Sequence, residues 1–264
     1  MSALQNLVLL LIGITSFVFT FVSIGKLAWF LSAVYQTKVE NENLSTGDQV
    51  KEVLSNKLVL NALFVDASLA ILFIFVHSFF RIDSVKGFWT KIGLKSAVRS
   101  IYCLVSALSL LFLLKHWKIV PYSFWEFDIY TTNFRYWCFF LAHSLAWTII
   151  YAGSLLMDLP ELLGIKQIVY HLQGLPHPCE YYKSEQLNTL YSHIRHPSFI
   201  CLTLSLWGAN CMTFDRFILA SLWTLYMFLA WNPDSKDYEY QKIQLTRKKL
   251  ELNQRTTMQQ RVYW

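Results

Sequence analysis

The chain has 264 residues, of which 55% are hydrophobic and only 15% are charged. Soluble domains carry about 25% charged residues, so this composition excludes a water-soluble enzyme and a disordered chain, and it predicts a membrane protein. The net charge of +6 comes from basic residues scattered over several loops and a tail. Because they form no single stripe, we expect no direct nucleic-acid binding.

Six apolar runs predict an all-α, six-span bundle that forms one integral membrane domain over residues 1–264, ending in a basic tail over 232–264. The predicted spans are Leu7 to Tyr35, Leu58 to Phe80, Ala97 to Leu114, Tyr136 to Met157, Phe199 to Thr213 and Phe217 to Trp231. The last two runs are short. They could instead form one hairpin that the neighbouring helices shield from lipid.

The loop charges predict the orientation of the bundle. With six spans, the Arg81 to Arg99 loop and the tail lie on one side, and both hold many Lys and Arg residues. Basic loops stay in the cytosol, so both termini should face the cytosol or nucleoplasm, and the tail should contact anionic lipid headgroups. The acceptor pattern at Asn43 would then lie in a lumenal loop, where it is either glycosylated or a chance match.

Ionisable residues inside spans are costly and often functional. Asp66 and His77 lie eleven residues apart on the second span, which returns them to nearly the same helix face. Lys26 and His143 are candidate partners on other spans. The alternative is that these groups fix the packing of the bundle or reach a membrane boundary.

A polar cluster from Tyr191 to Pro197 directly precedes the fifth predicted span. Arg195 can bind a carboxylate or phosphate through its fork of donors, and His196 can donate or carry a proton. A basic cap touching lipid headgroups explains the same residues. Asp234 to Tyr240 follows the sixth span on the same side, so it either completes a polar pocket or starts a solvated helix.

Two further patterns bear on the site. The five cysteines form no CxxC pair and the seven histidines have no HxxxH spacing, so we expect no disulfide framework and no metal. The aromatic stretch Trp117 to Trp137 is typical of a membrane-interface belt, and an aromatic ligand cage is the alternative.

The stretch His143 to Leu175, above all Asp158 to His171, resembles the nurim family of multi-pass inner nuclear membrane proteins. His77-Ser78, Arg99 to Tyr102 and Ser192 to Pro197 match it as well, so the resemblance covers most of the chain. It implies a location in the inner nuclear membrane and a structural or interaction role with nuclear envelope proteins.

The nurim family is similar to isoprenylcysteine carboxyl methyltransferases and NnrU-like proteins, and more distantly to sterol reductases. Their pattern is roughly GxYxxxRHPxYxG, with paired Glu residues after the following hairpin. By that resemblance Tyr191, Arg195, His196 and Asp237 would bind S-adenosylmethionine, which implies methyl transfer to a prenylated or lipid substrate as the alternative function. Thr189 and Cys201 replace the two pattern glycines, and Lys236-Asp237 replaces the Glu pair.

Overall fold

The computed structural model describes residues 3–36, 45–80, 82–156, 158–175 and 199–230, together with positions 246, 249 and 250. In chain order the main helices are α1 (Ala3–Ser32), α2 (Thr46–Ser55), α3 (Lys57–Phe79), α4 (Asp83–Lys91), α5 (Val98–His116), α6 (Asn133–Leu156), α7 (Leu159–Leu162), α8 (Ile165–Leu172), α9 (Phe199–Trp207) and α10 (Phe214–Ala230). A 3₁₀ turn, Lys95–Ala97, leads into α5.

Four of these helices, α1, α3, α5 and α6, are long and apolar enough to cross a membrane. They coincide with the first four predicted spans, so the all-α membrane bundle is confirmed. Their outward faces expose large apolar side chains, such as Leu58 at 82% and Phe134 at 77%. A continuous apolar surface of this kind is what a bilayer covers.

Two short strands lie at one end of the bundle, one after α5 and one after α9. β1 (Ser123–Glu126) pairs antiparallel with β2 (Cys211–Thr213), and Glu126 lies opposite Cys211. The predicted helix from Phe199 to Thr213 is therefore wrong at its far end, where the chain leaves α9 at Trp207 and pairs as a strand.

The helices α9 and α10 form a hairpin within the bundle. From Phe199 onward, α9 has 9 residues and rises about 14 Å, less than the roughly 30 Å of hydrocarbon that a crossing needs. It packs against α6 and α10, and α10 packs against α3. This is the arrangement of the inserted-hairpin alternative, and the count of six crossings stays a prediction.

The bundle has two distinct ends. At the capped end, α1 and α5 finish, α3, α6 and α10 begin, and the β1–β2 sheet lies across them. At the motif end, α3 and α10 finish and α5 begins. A core of buried side chains between them, including Leu113, Leu219 and Trp223, joins α1, α3, α5, α9 and α10.

Candidate functional site

The predicted ligand-binding residues Tyr191, Arg195, His196 and Asp237 lie outside the described residues. In the sequence, His196 comes three residues before Phe199, the first residue of α9, and Asp237 follows the last residue of α10 by seven. The last residue of α10 belongs to the motif end. The described side chains at the motif end are therefore the ones to compare with the predicted chemistry.

A histidine-centred polar cluster lies inside the bundle at the motif end. The hydroxyl oxygen of Tyr102 is 2.8 Å from His77 Nε2, and Ser106 Oγ is 3.2 Å from His77 Nδ1. Because α3 and α5 run antiparallel, the last turn of α3 meets the first turns of α5, which brings these residues together. The cluster joins His77 to the Arg99 to Tyr102 segment, two stretches that the sequence separates.

The last helix adds aromatic and hydroxyl groups to this cluster. The hydroxyls of Tyr226 on α10 and Ser78 on α3 are 3.1 Å apart, and the Tyr226 ring meets the His77 ring edge-on at 6.4 Å. On the other side, the Arg99 guanidinium lies 5.1 Å from the centre of the Tyr102 ring. The motif end thus presents rings, hydroxyls, an imidazole and a guanidinium within one small region.

The short helices α7 and α8 form a plate that is fixed to the rim of the motif end. Arg99 Nε donates to the Leu162 carbonyl at 2.7 Å, and Ser100 Oγ donates to the Leu163 carbonyl at 3.3 Å. Gly164 follows with φ +84°, and a Cβ there would lie 2.5 Å from the Ser100 nitrogen. Only glycine fits both this backbone conformation and this close approach.

An ion-pair network holds the plate together. Lys166 Nζ lies 2.6 Å from Asp158 Oδ2 and 3.7 Å from Glu161 Oε2, with all three side chains largely buried. Burial alone would lower the pKa of Lys166. The hydrogen bond and charge of Asp158, with the charge of Glu161, outweigh it and raise the pKa above its ordinary value.

At the capped end, a buried carboxylate is bonded to the segment that follows α5. Asp215 is fully buried at the start of α10, and its oxygens accept from Trp117 Nε1 at 2.8 Å and from the Val120 N–H at 3.0 Å. Asp66 is also fully buried and accepts from the Lys118 N–H at 3.0 Å. These bonds fix the turn after α5 onto α3 and α10.

The other buried polar groups of the capped end bind the end of α1. Arg216 donates to the Phe30 carbonyl at 3.1 Å. The side chain of Asn210 accepts from the Tyr35 N–H at 3.1 Å and donates to its carbonyl at 2.7 Å. Such a two-bond match to one backbone residue, together with the β1–β2 sheet, closes this end of the bundle.

His143 lies in a separate chain of hydrogen bonds near the capped end. Its Nε2 is 3.3 Å from the Gly208 carbonyl, which can only accept, so Nε2 carries a proton. Its Nδ1 is 2.9 Å from Ser32 Oγ, and Ser32 Oγ accepts a hydrogen bond from Trp147 Nε1 at 2.9 Å. These hydrogen bonds hold α6 against α1 and against the end of α9, so His143 has a structural role.

The structure does not bring together the ionisable groups that the sequence suggested as partners across the spans. Asp66 and His77 share α3, but eleven residues separate them by about 16 Å along the helix axis, so each serves a different end. Neither bonds to Lys26 or His143. Lys26 is exposed and forms no ion pair with any residue in the described ranges.

The motif end fits part of the chemistry of S-adenosylmethionine, the cofactor that the resemblance implies. Its sulfonium is a cation that ring faces attract, and its sugar hydroxyls can bond to phenol hydroxyls such as those of Tyr102 and Tyr226. Cys201, which replaces a pattern glycine, is half-buried on α9. Its side chain occupies space that glycine would leave to a ligand.

The fold and the two ends define a class of protein, a multi-pass helical membrane protein. Two relatives named "Nurim homolog" are 41% identical over 256 residues in Drosophila pseudoobscura pseudoobscura and 39% in Drosophila melanogaster, each match covering 96% of this chain and 99% of the relative. "Nurim" of Homo sapiens is 35% identical over 199 residues, 74% of this chain and 75% of the relative.

The chain therefore belongs to the nurim family. No protein-family profile matches it. No solved structure matches it at a significant level.

Proposed function

We propose that this protein resides in the inner nuclear membrane and serves there as a structural or interaction protein of the nuclear envelope. One observation carries the proposal: the described segments outside the long helices are short and pack onto the bundle. The plate of α7 and α8 is bonded to α5 through Arg99, Ser100 and Gly164. The bundle and its plate are thus one body, and envelope proteins would bind that body.

The motif end is the surface that we assign to nucleoplasmic partners. Loop charges favour this end for the nucleoplasm, because the Arg81 to Arg99 loop joins α3 to α5 here. The tail over 232–264 follows α10 at the same end. Its Lys and Arg residues would contact anionic headgroups and keep the plate close to the membrane surface.

The location is tested by tagging the full chain with a fluorescent protein and imaging the nuclear rim. We expect enrichment at the rim and slow recovery after photobleaching. A tag at the N-terminus should resist antibody when only the plasma membrane is opened with digitonin, and should react once the nuclear envelope is opened. Even distribution through the endoplasmic reticulum would contradict the proposal.

A second candidate function is methyl transfer from S-adenosylmethionine to a prenylated or lipid substrate. It is favoured by the His77, Tyr102 and Tyr226 cluster, which brings polar groups of α3, α5 and α10 together inside the bundle. Bound S-adenosylmethionine supplies an activated methyl group. Arg195 and His196 would hold this donor, and the dry aromatic wall would orient it.

This candidate is tested by equilibrium binding of radiolabelled S-adenosylmethionine to the purified protein in detergent. The Arg195→Ala, His196→Ala double variant should lose saturable binding. His116→Ala is the matched control, because His116 is exposed at the capped end and its hydrogen bond is to the Phe112 carbonyl of its own helix. Well-folded protein that binds no S-adenosylmethionine would remove the methyltransferase function and leave the interaction role.

A further inference from the structure

A cleft of about 470 Å³ opens at the capped end, away from the His77 cluster at the motif end. It lies between the start of α6 and the end of α9, and its volume is within the range of small-ligand pockets. Apolar side chains form most of its wall. The side chains and backbone that line it include Phe127, Phe134, Arg135, Cys138, Phe139 and Gly208.

Arg135 is the charged group in the wall of this cleft. It is exposed in the first turn of α6, a membrane-spanning helix, and it forms no ion pair with any residue in the described part of the chain. Its backbone N–H donates to Thr132 Oγ1, and this bond caps the start of the helix. The guanidinium takes no part in the cap. An unpaired cation at the end of a span is costly unless a lipid or water group neutralises it.

Aromatic side chains place Arg135 at the headgroup level of the bilayer. Tyr130, Tyr136 and Trp137 surround the start of α6 and are 61%, 37% and 54% exposed. The Tyr130 and Tyr136 rings stack with centres 5.9 Å apart. Belts of Tyr and Trp mark the membrane–water interface, so the guanidinium lies where lipid phosphates lie.

The cleft continues from Arg135 along apolar side chains. Phe134 and Phe139 are on α6, and the Phe139 ring packs 4.5 Å from the His143 ring, deeper along the same helix. A peptide would leave its backbone polar groups unpaired against such a wall. An acyl chain has no polar group to satisfy and meets the wall favourably.

We propose that this cleft binds one membrane phospholipid of net negative charge, with its phosphate on the Arg135 guanidinium and an acyl chain against Phe134 and Phe139. Arginine holds phosphate oxygens through paired N–H donors, which suits this position better than a point charge would. The site is independent of the motif end, so it persists whichever function that end performs.

Cys138 gives a direct measure of occupancy because it is exposed in the cleft wall. The protein is purified in detergent with Cys179→Ser and Cys201→Ala, which leaves the buried Cys103 and Cys211 as the other thiols. The rate of Cys138 alkylation by a maleimide is then followed while dioleoyl phosphatidylserine or dioleoyl phosphatidylcholine is added. We expect saturable protection at lower concentrations of phosphatidylserine.

Variants separate headgroup recognition from simple lipid coating. Arg135→Gln should raise the half-protecting phosphatidylserine concentration about tenfold, which corresponds to about 1.4 kcal/mol. Lys115→Gln, which removes an exposed charge from the end of α5, should leave it unchanged. Phe134→Ala keeps the guanidinium and should weaken protection about fivefold through the lost apolar wall.

Three results would overturn the proposal. These are no protection of Cys138 by either lipid, equal protection by both lipids, and equal behaviour of Arg135→Gln and Lys115→Gln. Circular dichroism and gel filtration of each variant confirm that a loss of protection does not come from unfolding. Phe134→Ala supplies a second test in protein that retains Arg135.

Discussion

The two ends of the bundle use buried polar groups in different ways. At the capped end, Asp215, Asp66 and Asn210 bond to backbone groups of neighbouring segments, and a small sheet covers them. At the motif end, the interior contacts join side chains to side chains, through His77, Tyr102 and the Tyr226 hydroxyl. Bonds to backbone fix the path of the chain, whereas hydroxyl and imidazole groups can exchange partners.

This difference predicts which buried polar groups the fold depends on most. A buried carboxylate that accepts two backbone or indole donors cannot leave without exposing them, so the capped end is bound to one arrangement. The motif end is held instead from its rim, by the α7–α8 plate on Arg99 and Ser100. We therefore expect the largest losses of stability from the capped end, intermediate ones from the plate and small ones from the interior of the motif end.

Asp215→Ala should cause the largest loss of stability. It leaves the Trp117 indole and the Val120 N–H buried without an acceptor, and each such donor costs about 1–3 kcal/mol, so the free energy of unfolding should fall by about 4 kcal/mol. Thermal unfolding in detergent measures it. Asp48→Ala, at an exposed position of the same end, should change it by less than about 1 kcal/mol. Equal effects would erase the distinction between buried and surface carboxylates.

Gly164→Ala should lower stability by about 3 kcal/mol, because it adds a steric clash with Ser100 to the cost of a positive φ. Gly93→Ala is the matched control: Gly93 has φ +85°, and a Cβ there meets nothing within 4 Å. It should cost about 1 kcal/mol. The difference between the two, measured by thermal unfolding, isolates the contact between plate and bundle. No difference would mean that the plate is not held against α5.

Lys166→Met should destabilise the protein at neutral pH and progressively less in alkaline solution. The folded-state pKa of Lys166 is raised above the ordinary 10.5. Its contribution is therefore complete below about pH 10.5 and disappears as the pH rises through the folded-state value. The melting temperatures of the unchanged protein and of Lys166→Met should therefore converge as the pH rises from about 9 to about 11.5. Lys86→Met, which breaks the exposed pair with Asp83, should give a small and flat difference. A gap for Lys166→Met that stays constant over this range would contradict the assigned pKa.

Tyr102→Phe should have the smallest effect, about 1 kcal/mol, the usual net value of one hydrogen bond. Tyr130→Phe, at an exposed aromatic position, serves as the control and should be neutral. Thermal unfolding in detergent gives the stability of both variants relative to the unchanged protein. A loss of stability as large as that of Asp215→Ala would contradict the proposed difference, since the fold would then depend on the motif end as much as on the capped end.

The long helices could be predicted from the sequence because their signal is local. A run of apolar residues such as Leu58 to Phe80 needs nothing but its own composition to form α3, and Asn56 caps its start by accepting from Leu58 N and Val59 N. The β1–β2 pair could not be predicted this way. Its strands are about 85 residues apart, and each lies within a stretch that is typical of something else, an aromatic belt and an apolar span.

The partners of the buried polar groups were also beyond local patterns. Asp215 and Arg216 stand out in the sequence as a polar break between apolar runs, but their acceptor and donors lie on α1 and in the turn after α5. The sequence offered one local signal for them, the adjacent acid and base Asp215-Arg216 at the start of an apolar helix. The resemblance did flag His77 and Arg99 to Tyr102, although their contact depends on the antiparallel packing of α3 and α5.

We propose that the capped end maintains the bundle while the motif end recognises what the protein binds. Photobleaching recovery at the nuclear rim tests it most directly, with the unchanged chain, Asp215→Asn and the Arg195→Ala, His196→Ala double variant, each expressed at a temperature at which it is folded. Asp215→Asn should recover as slowly as the unchanged chain, and the double variant should recover faster. Fast recovery of Asp215→Asn together with an unaffected double variant would contradict this assignment of roles to the two ends.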